Sequence, residues 1–101
     1  MPSFKEDAIQ RAEDAGYYPA EGQRPINWDT VESWADKVQE PDFVWRTEAE
    51  QGPDGNIVVG ENNAVASGQH RILGGFMGNN PVPEASVSRL NVPLPTQPWV
   101  R

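Results

Sequence analysis

The sequence predicts an α+β fold, and three observations carry that prediction. The first forty residues hold two stretches of helical periodicity. The residues beyond Pro41 hold short β-branched or alternating runs, and one further helical stretch, 69–77, interrupts them. Helices first and strands after is the order of an α+β domain rather than of alternating βαβ units. A chain of 101 residues fits one domain around a single core. Its expected bounds are 1–90, with a helical part at 1–40 packed on a short mixed sheet and a proline-rich extended tail at 91–101.

The first helix is expected from Pro2 to Ala15. Ser3 and Glu6 form an S-x-x-E capping box, while Phe4, Ala8, Ile9 and Ala12 fall on one face. Gly16 stands where a helix C-terminus favours glycine. A loop with Pro19, Gly22 and Pro25 follows, then a second helix from Asp29 to Gln39, with Asp29 and Glu32 as its cap signal. Val31, Trp34, Ala35 and Val38 form its apolar face, and Pro41 ends it. Phe43 to Thr47 reads as a short strand. Gly52-Pro53-Asp54-Gly55-Asn56 is a turn, in which Pro presets φ, Asp bonds its own backbone and Gly accepts positive φ. Ile57–Val59 and Ala64–Ala66 read as strands, Gln69–Met77 as a helix stopped by Gly78 to Pro81, and Glu84–Leu90 as an alternating strand. Pro93, Pro95 and Pro98 keep the tail extended, with Trp99 available to pin it to the body.

Composition removes several function classes. Cysteine is absent, which excludes a thiolate nucleophile, a disulfide scaffold and Cys-ligated zinc. A single histidine excludes an all-His zinc site and a paired-histidine ribonuclease mechanism, while a carboxylate-rich magnesium or calcium site stays open; no cofactor is expected and no metal ligand is assigned. No apolar run approaches the roughly 20 residues of a membrane span, so no membrane partner is expected. Fifteen acidic side chains against eight basic ones leave a net charge of -7. That balance disfavours sequence-independent duplex binding, which gains affinity by neutralising phosphates, but it permits a small, locally basic phosphate site.

Ser67-Gly68-Gln69-His70-Arg71 leads from a strand straight into a helix. The first-turn N–H groups of such a helix lack intrahelical partners and its dipole end is positive. Gly68 lets an anion approach the backbone, Arg71 adds a guanidinium fork and His70 a group that moves protons. The order strand, Gly68-Gln69-His70-Arg71, helix, Gly78, Pro81-Val82-Pro83, strand resembles the ParB/sulfiredoxin superfamily, over about a third of the chain. In sulfiredoxin the motif is Gly-Cys-His-Arg, whose His and Arg hold nucleotide phosphate. Gln69 stands here at the catalytic cysteine's place, which excludes sulfiredoxin chemistry, and Gly74 and Gly75 replace the alanines common in ParB helices. Small domains of this kind are similar to the C-terminal toxin modules of bacterial polymorphic (Rhs-type) toxins. The start of the chain fits a module excised from a longer protein.

The resemblance implies an effector domain acting on a phosphate-bearing substrate, foremost a nuclease cleaving nucleic acid, with a nucleotide as the next substrate. Such a toxin is delivered from a secreted bacterial protein into the target-cell cytoplasm and is matched by a cognate immunity protein. The expected catalytic set is His70 as general acid/base, Arg71 as phosphate clamp and Glu61 as base, with Glu48, Glu50 and Glu84 as rival carboxylates. Ser67, Gly68, Gln69 and Arg89 are the expected phosphate contacts. The alternative is a non-catalytic nucleotide- or protein-binding module using the same anion site. Trp28, Trp34 and Trp45 fall at core spacing, with base stacking as their other use.

Overall fold

A computed structural model describes residues 4–51 and 55–100. Among the described residues four helices and a four-stranded mixed sheet follow one another as α1 (Phe4–Asp14), β1 (Tyr18–Pro19), α2 (Trp28–Val38), α3 (Glu48–Gln51), β2 (Ile57–Val59), β3 (Ala64–Ser67), α4 (Gln69–Met77), a 3-10 turn (Glu84–Ser86) and β4 (Val87–Arg89). The sheet order is β1-β3-β2-β4. β2 and β3 form an antiparallel hairpin, while β1 runs parallel to β3 and β4 parallel to β2. The parallel β2–β4 pairing needs a crossover, which β3 and α4 supply.

α1 buries Ala8, Ile9 and Ala12 at one-turn spacing, and ends in a Schellman closure at Gly16, whose φ is +87. There the Tyr17 N–H donates to the Ala12 carbonyl and the Gly16 N–H to that of Glu13, both at 2.9 Å. Phe4, expected on the buried face, is 79% exposed, and Ser3 of the expected cap lies outside the described residues. The N-cap of α2 lies two residues before the expected one. Asn27 is the N-cap, its Oδ1 accepting from the Thr30 N–H at 3.2 Å.

The helices meet on α4 rather than directly on the sheet, since α1 and α2 make their main contacts there. The α2–α4 crossing is close because glycine faces it. A Cβ on Gly74 would lie 2.4 Å from the Trp34 Cβ, and one on Gly78 would lie 2.6 Å from the Ala35 carbonyl oxygen. Ile9, Val31, Ile57, Val59, Val65, Ile72, Leu73 and Val87 join in one core, which closes between α4 and the inner face of the sheet.

Three strand expectations change. Phe43–Thr47 forms no strand, because it runs over α2 and α4, away from any sheet edge, and its aromatic rings pack on Trp34. Glu84–Ser86, expected to extend a strand, is the 3-10 turn, and only Val87–Arg89 pairs. Inside the expected loop 17–26, Tyr18–Pro19 adds a strand. The Tyr18 and Ala20 N–H groups donate to β3, so the backbone nitrogen of the buried Pro19, which carries no N–H, lies on the edge away from β3. Residues 52–54 of the expected turn lie outside the described residues.

The tail is extended and docked along that outer edge. Gln97 N–H donates to the Pro19 carbonyl and Glu21 N–H to that of Pro95, both at 2.9 Å, while Asn62 exchanges two hydrogen bonds with the Leu94 backbone. Trp99 is 4% exposed within the core, and its indole N–H donates to the Tyr17 carbonyl at 2.9 Å.

Candidate functional site

Gly68 makes the turn from β3 into α4 at φ +90, a conformation that an L side chain adopts only with strain. A Cβ there would also stand 2.9 Å from the Ile57 side chain. Ser67 is exposed at the end of β3. From this corner the next three side chains splay in three directions.

Gln69 turns inward. It is 6% exposed and its amide donates to the Arg24 carbonyl at 3.0 Å, tying down the 17–26 loop. His70 turns to the start of α2, where its Nε2 accepts the Asn27 N–H at 3.0 Å. An accepting Nε2 places the ring proton on Nδ1, and partial burial holds the imidazole below its usual pKa. His70 thus stabilises the α2 cap as a neutral base. Arg71 turns outward over the Trp34 ring, its guanidinium carbon 5.9 Å from the ring centroid. No hydrogen bond or ion pair to its guanidinium occurs among the described residues, and burial lowers its pKa from the usual arginine value.

The other expected site residues are dispersed. Glu61 sits exposed in the β2–β3 turn, at the far end of β3 from Gly68. Strand rise puts those ends about 13 Å apart, so Glu61 does not stand beside His70. Arg89 is committed: it grips both Glu84 carboxylate oxygens at 2.8 and 3.0 Å and also donates to the Gly60 carbonyl and to Asn63. Glu84 is its partner. Glu50 is a cap, accepting the Thr47 N–H and hydroxyl at 2.9 Å, and those bonds lower its pKa. Glu48 is exposed in the first turn of α3. Ion pairs among the described residues are Arg11–Asp7 and Arg89–Glu84, and neither touches His70.

What the structure does assemble is a groove of about 460 Å³ between α2, α4 and the 40–46 segment. Trp34 and Trp45 lie nearly parallel, 8° between planes and 6.5 Å between centroids, and Phe43 meets Trp45 edge-on at 5.2 Å. The Trp45 indole N–H is anchored on the Asn80 carbonyl, and a Cβ on Gly75 would meet its ring at 3.1 Å. All three rings are partly exposed. Lys37 reaches over Trp34 at 4.8 Å from the ring centroid, and Arg46, Arg71, Glu40 and Asp42 also line the groove. Three of the chain's eight basic side chains thus gather here against two acids, in a chain of net charge -7.

Of these residues, Lys37, Glu40, Asp42, Phe43 and Arg46 were not candidates in the sequence. The available signal was the Trp34–Lys37 spacing, one turn apart on α2, together with the aromatic-basic run Phe43-Val44-Trp45-Arg46. Among the described residues no group of three or more His, Cys, Asp or Glu side chains could hold a metal ion, and no helix is long and apolar enough to cross a membrane. Comparison with protein-family models, curated proteins and solved structures finds no match for the chain.

The His70 contact has a pH signature. Because burial lowers its pKa, the unfolded chain takes up the proton first as pH falls. Stability from this group is full above the unfolded value of about 6.5. It declines as pH drops below that value and levels off once folded His70 is protonated as well. Urea midpoints of the wild type are expected to fall between pH 7.5 and 5, and those of His70→Gln, which has no imidazole, to fall less. An equal fall in both proteins would remove His70 as the cause.

Proposed function

We propose that the chain is a non-catalytic binding module for an anionic ligand that carries a planar ring, of the nucleotide class, seated in the Trp34–Trp45 groove and clamped by Arg71. One observation carries this reading: the half-buried Arg71 guanidinium, unpaired among the described residues, opens onto a groove whose described lining combines partly exposed indoles with a local excess of positive charge. Stacking on Trp34 or Trp45 would supply the ring contact and Arg71, Lys37 and Arg46 the phosphate contacts.

The run β3, Gly68, α4, β4 supports a ParB/sulfiredoxin-type core as part of the same proposal. Binding is favoured over nuclease action because His70 already accepts a backbone N–H, Gln69 and Arg89 are engaged within the fold, and among the described residues no carboxylate forms an ion pair with His70. A toxin acting by hydrolysis would need those groups for its substrate.

Calorimetric titration with AMP, followed by chromatography of the recovered ligand, tests the reading. Saturable binding is expected, weakened about tenfold or more by Arg71→Ala, with the AMP recovered intact. His70→Gln is expected to bind as wild type does. Absence of binding would reject the module. Hydrolysis of a nucleotide or of RNA that His70→Gln abolishes would reinstate the nuclease.

A further inference from the structure

The charge arrangement of the groove narrows the ligand further, if the binding reading holds. Its cations come from two sides: Lys37 from α2 and Arg71 from α4, both over the Trp34 ring, with Arg46 beyond the aromatic trio. Between Lys37 and Arg46 the chain places Glu40 and Asp42, both exposed and both lining the same groove. Neither makes an ion pair with a basic side chain among the described residues. Their charge is therefore left to act on whatever enters. Among the described residues that line it the groove holds one positive charge in excess, and the chain as a whole is strongly acidic. One phosphate charge finds a net attractive seat there, whereas each further charge meets Glu40, Asp42 and the field of the whole molecule.

We infer that Glu40 and Asp42 make the groove selective for a nucleoside phosphodiester, a base with a single negative phosphate charge, over nucleoside polyphosphates. Arg71 and Lys37 hold the phosphodiester, and Trp34, Phe43 and Trp45 take the base. The acids act as a rim that turns away the additional charge of a diphosphate or triphosphate tail.

The test compares 3′,5′-cyclic AMP, the dinucleotide ApA, AMP and ATP, all magnesium-free at low salt, on wild type and on Glu40→Gln/Asp42→Asn. In the wild type, cyclic AMP and ApA are expected to bind about tenfold more tightly than ATP, with AMP between them. The double variant should lose that preference, because each anion gains affinity in proportion to its charge and ATP therefore gains several times more than cyclic AMP. If ApA binds more tightly than cyclic AMP, the phosphodiester belongs to a single strand; equal or weaker binding of ApA makes it a free cyclic nucleotide. Tighter binding of ATP than of cyclic AMP by the wild type, or a preference unchanged in the double variant, would overturn the inference while leaving the binding module in place. Failure of all four ligands to bind would instead reject the module itself. Both substituted positions are exposed and outside the core, so the variant is expected to fold.

Discussion

Trp99→Ala is expected to destabilise the protein by about 3–5 kcal/mol. Three losses combine. The indole is 4% exposed and packs in the same core as Ile9, Tyr17 and Leu73, so its removal opens a cavity. Its N–H satisfies the Tyr17 carbonyl at the turn out of α1, and that oxygen would lose its partner. The tail that Trp99 anchors also covers the outer edge of β1 through Gln97, Pro95 and the Ala20–Thr96 bridge, and loosening it exposes a sheet edge. Against a total stability of roughly 5–15 kcal/mol for a domain, this is a large fraction. Urea denaturation at pH 7.5 measures it. A loss below about 1 kcal/mol would show that the tail is an accessory rather than part of the core.

Gly74→Ala with Gly78→Ala is expected to cost about 2–5 kcal/mol, although alanine is the better helix former. The gain in propensity at Gly74, about 1 kcal/mol, is outweighed by contact, and Gly78, the C-cap of α4, offers no such gain. The added Cβ atoms would meet the Trp34 Cβ at 2.4 Å and the Ala35 carbonyl oxygen at 2.6 Å, atoms fixed to the α2 backbone. No side-chain rotation relieves either clash, so α2 must move away from α4. Trp34 moves with it, shifting away from Arg71 and Trp45. The near-ultraviolet circular dichroism of the stacked indoles should therefore change together with the denaturation midpoint. A double variant as stable as wild type, with an unaltered aromatic spectrum, would contradict the close crossing described here.

Periodic segments were readable from sequence because their signal is local. α4 has the predicted bounds, and α1, α2, β2 and β3 lie within a few residues of theirs, since apolar spacing, β-branched runs and Gly16 act within one element. What escaped depends on partners distant in the chain. Tyr18–Pro19 is a strand only because β3 and the tail flank it. Phe43–Thr47 has strand composition, but its rings are claimed by Trp34 and its indole N–H by Asn80.

The site divides along the same line. Glycine at the strand-to-helix corner was legible, because positive φ and close approach leave no alternative there. The directions taken by Gln69, His70 and Arg71 were not, because Arg24, Asn27 and Trp34 determine them from far away in sequence. The groove itself joins two helices and an irregular segment, and no motif spans those three pieces.

The four tryptophans supply the most direct test of where a ligand sits. Trp34 and Trp45 line the groove, Trp28 adjoins Asn27 and thus the His70 contact, and Trp99 is buried beside Tyr17. Indole N–H resonances assigned by nitrogen-15 NMR, followed during titration with AMP, report on all four at once. The binding reading expects Trp34 and Trp45 to shift with saturation while Trp28 and Trp99 stay in place. A shift of Trp28 alone would put the ligand at His70, and with it the chemistry of a nuclease, in contradiction of the groove.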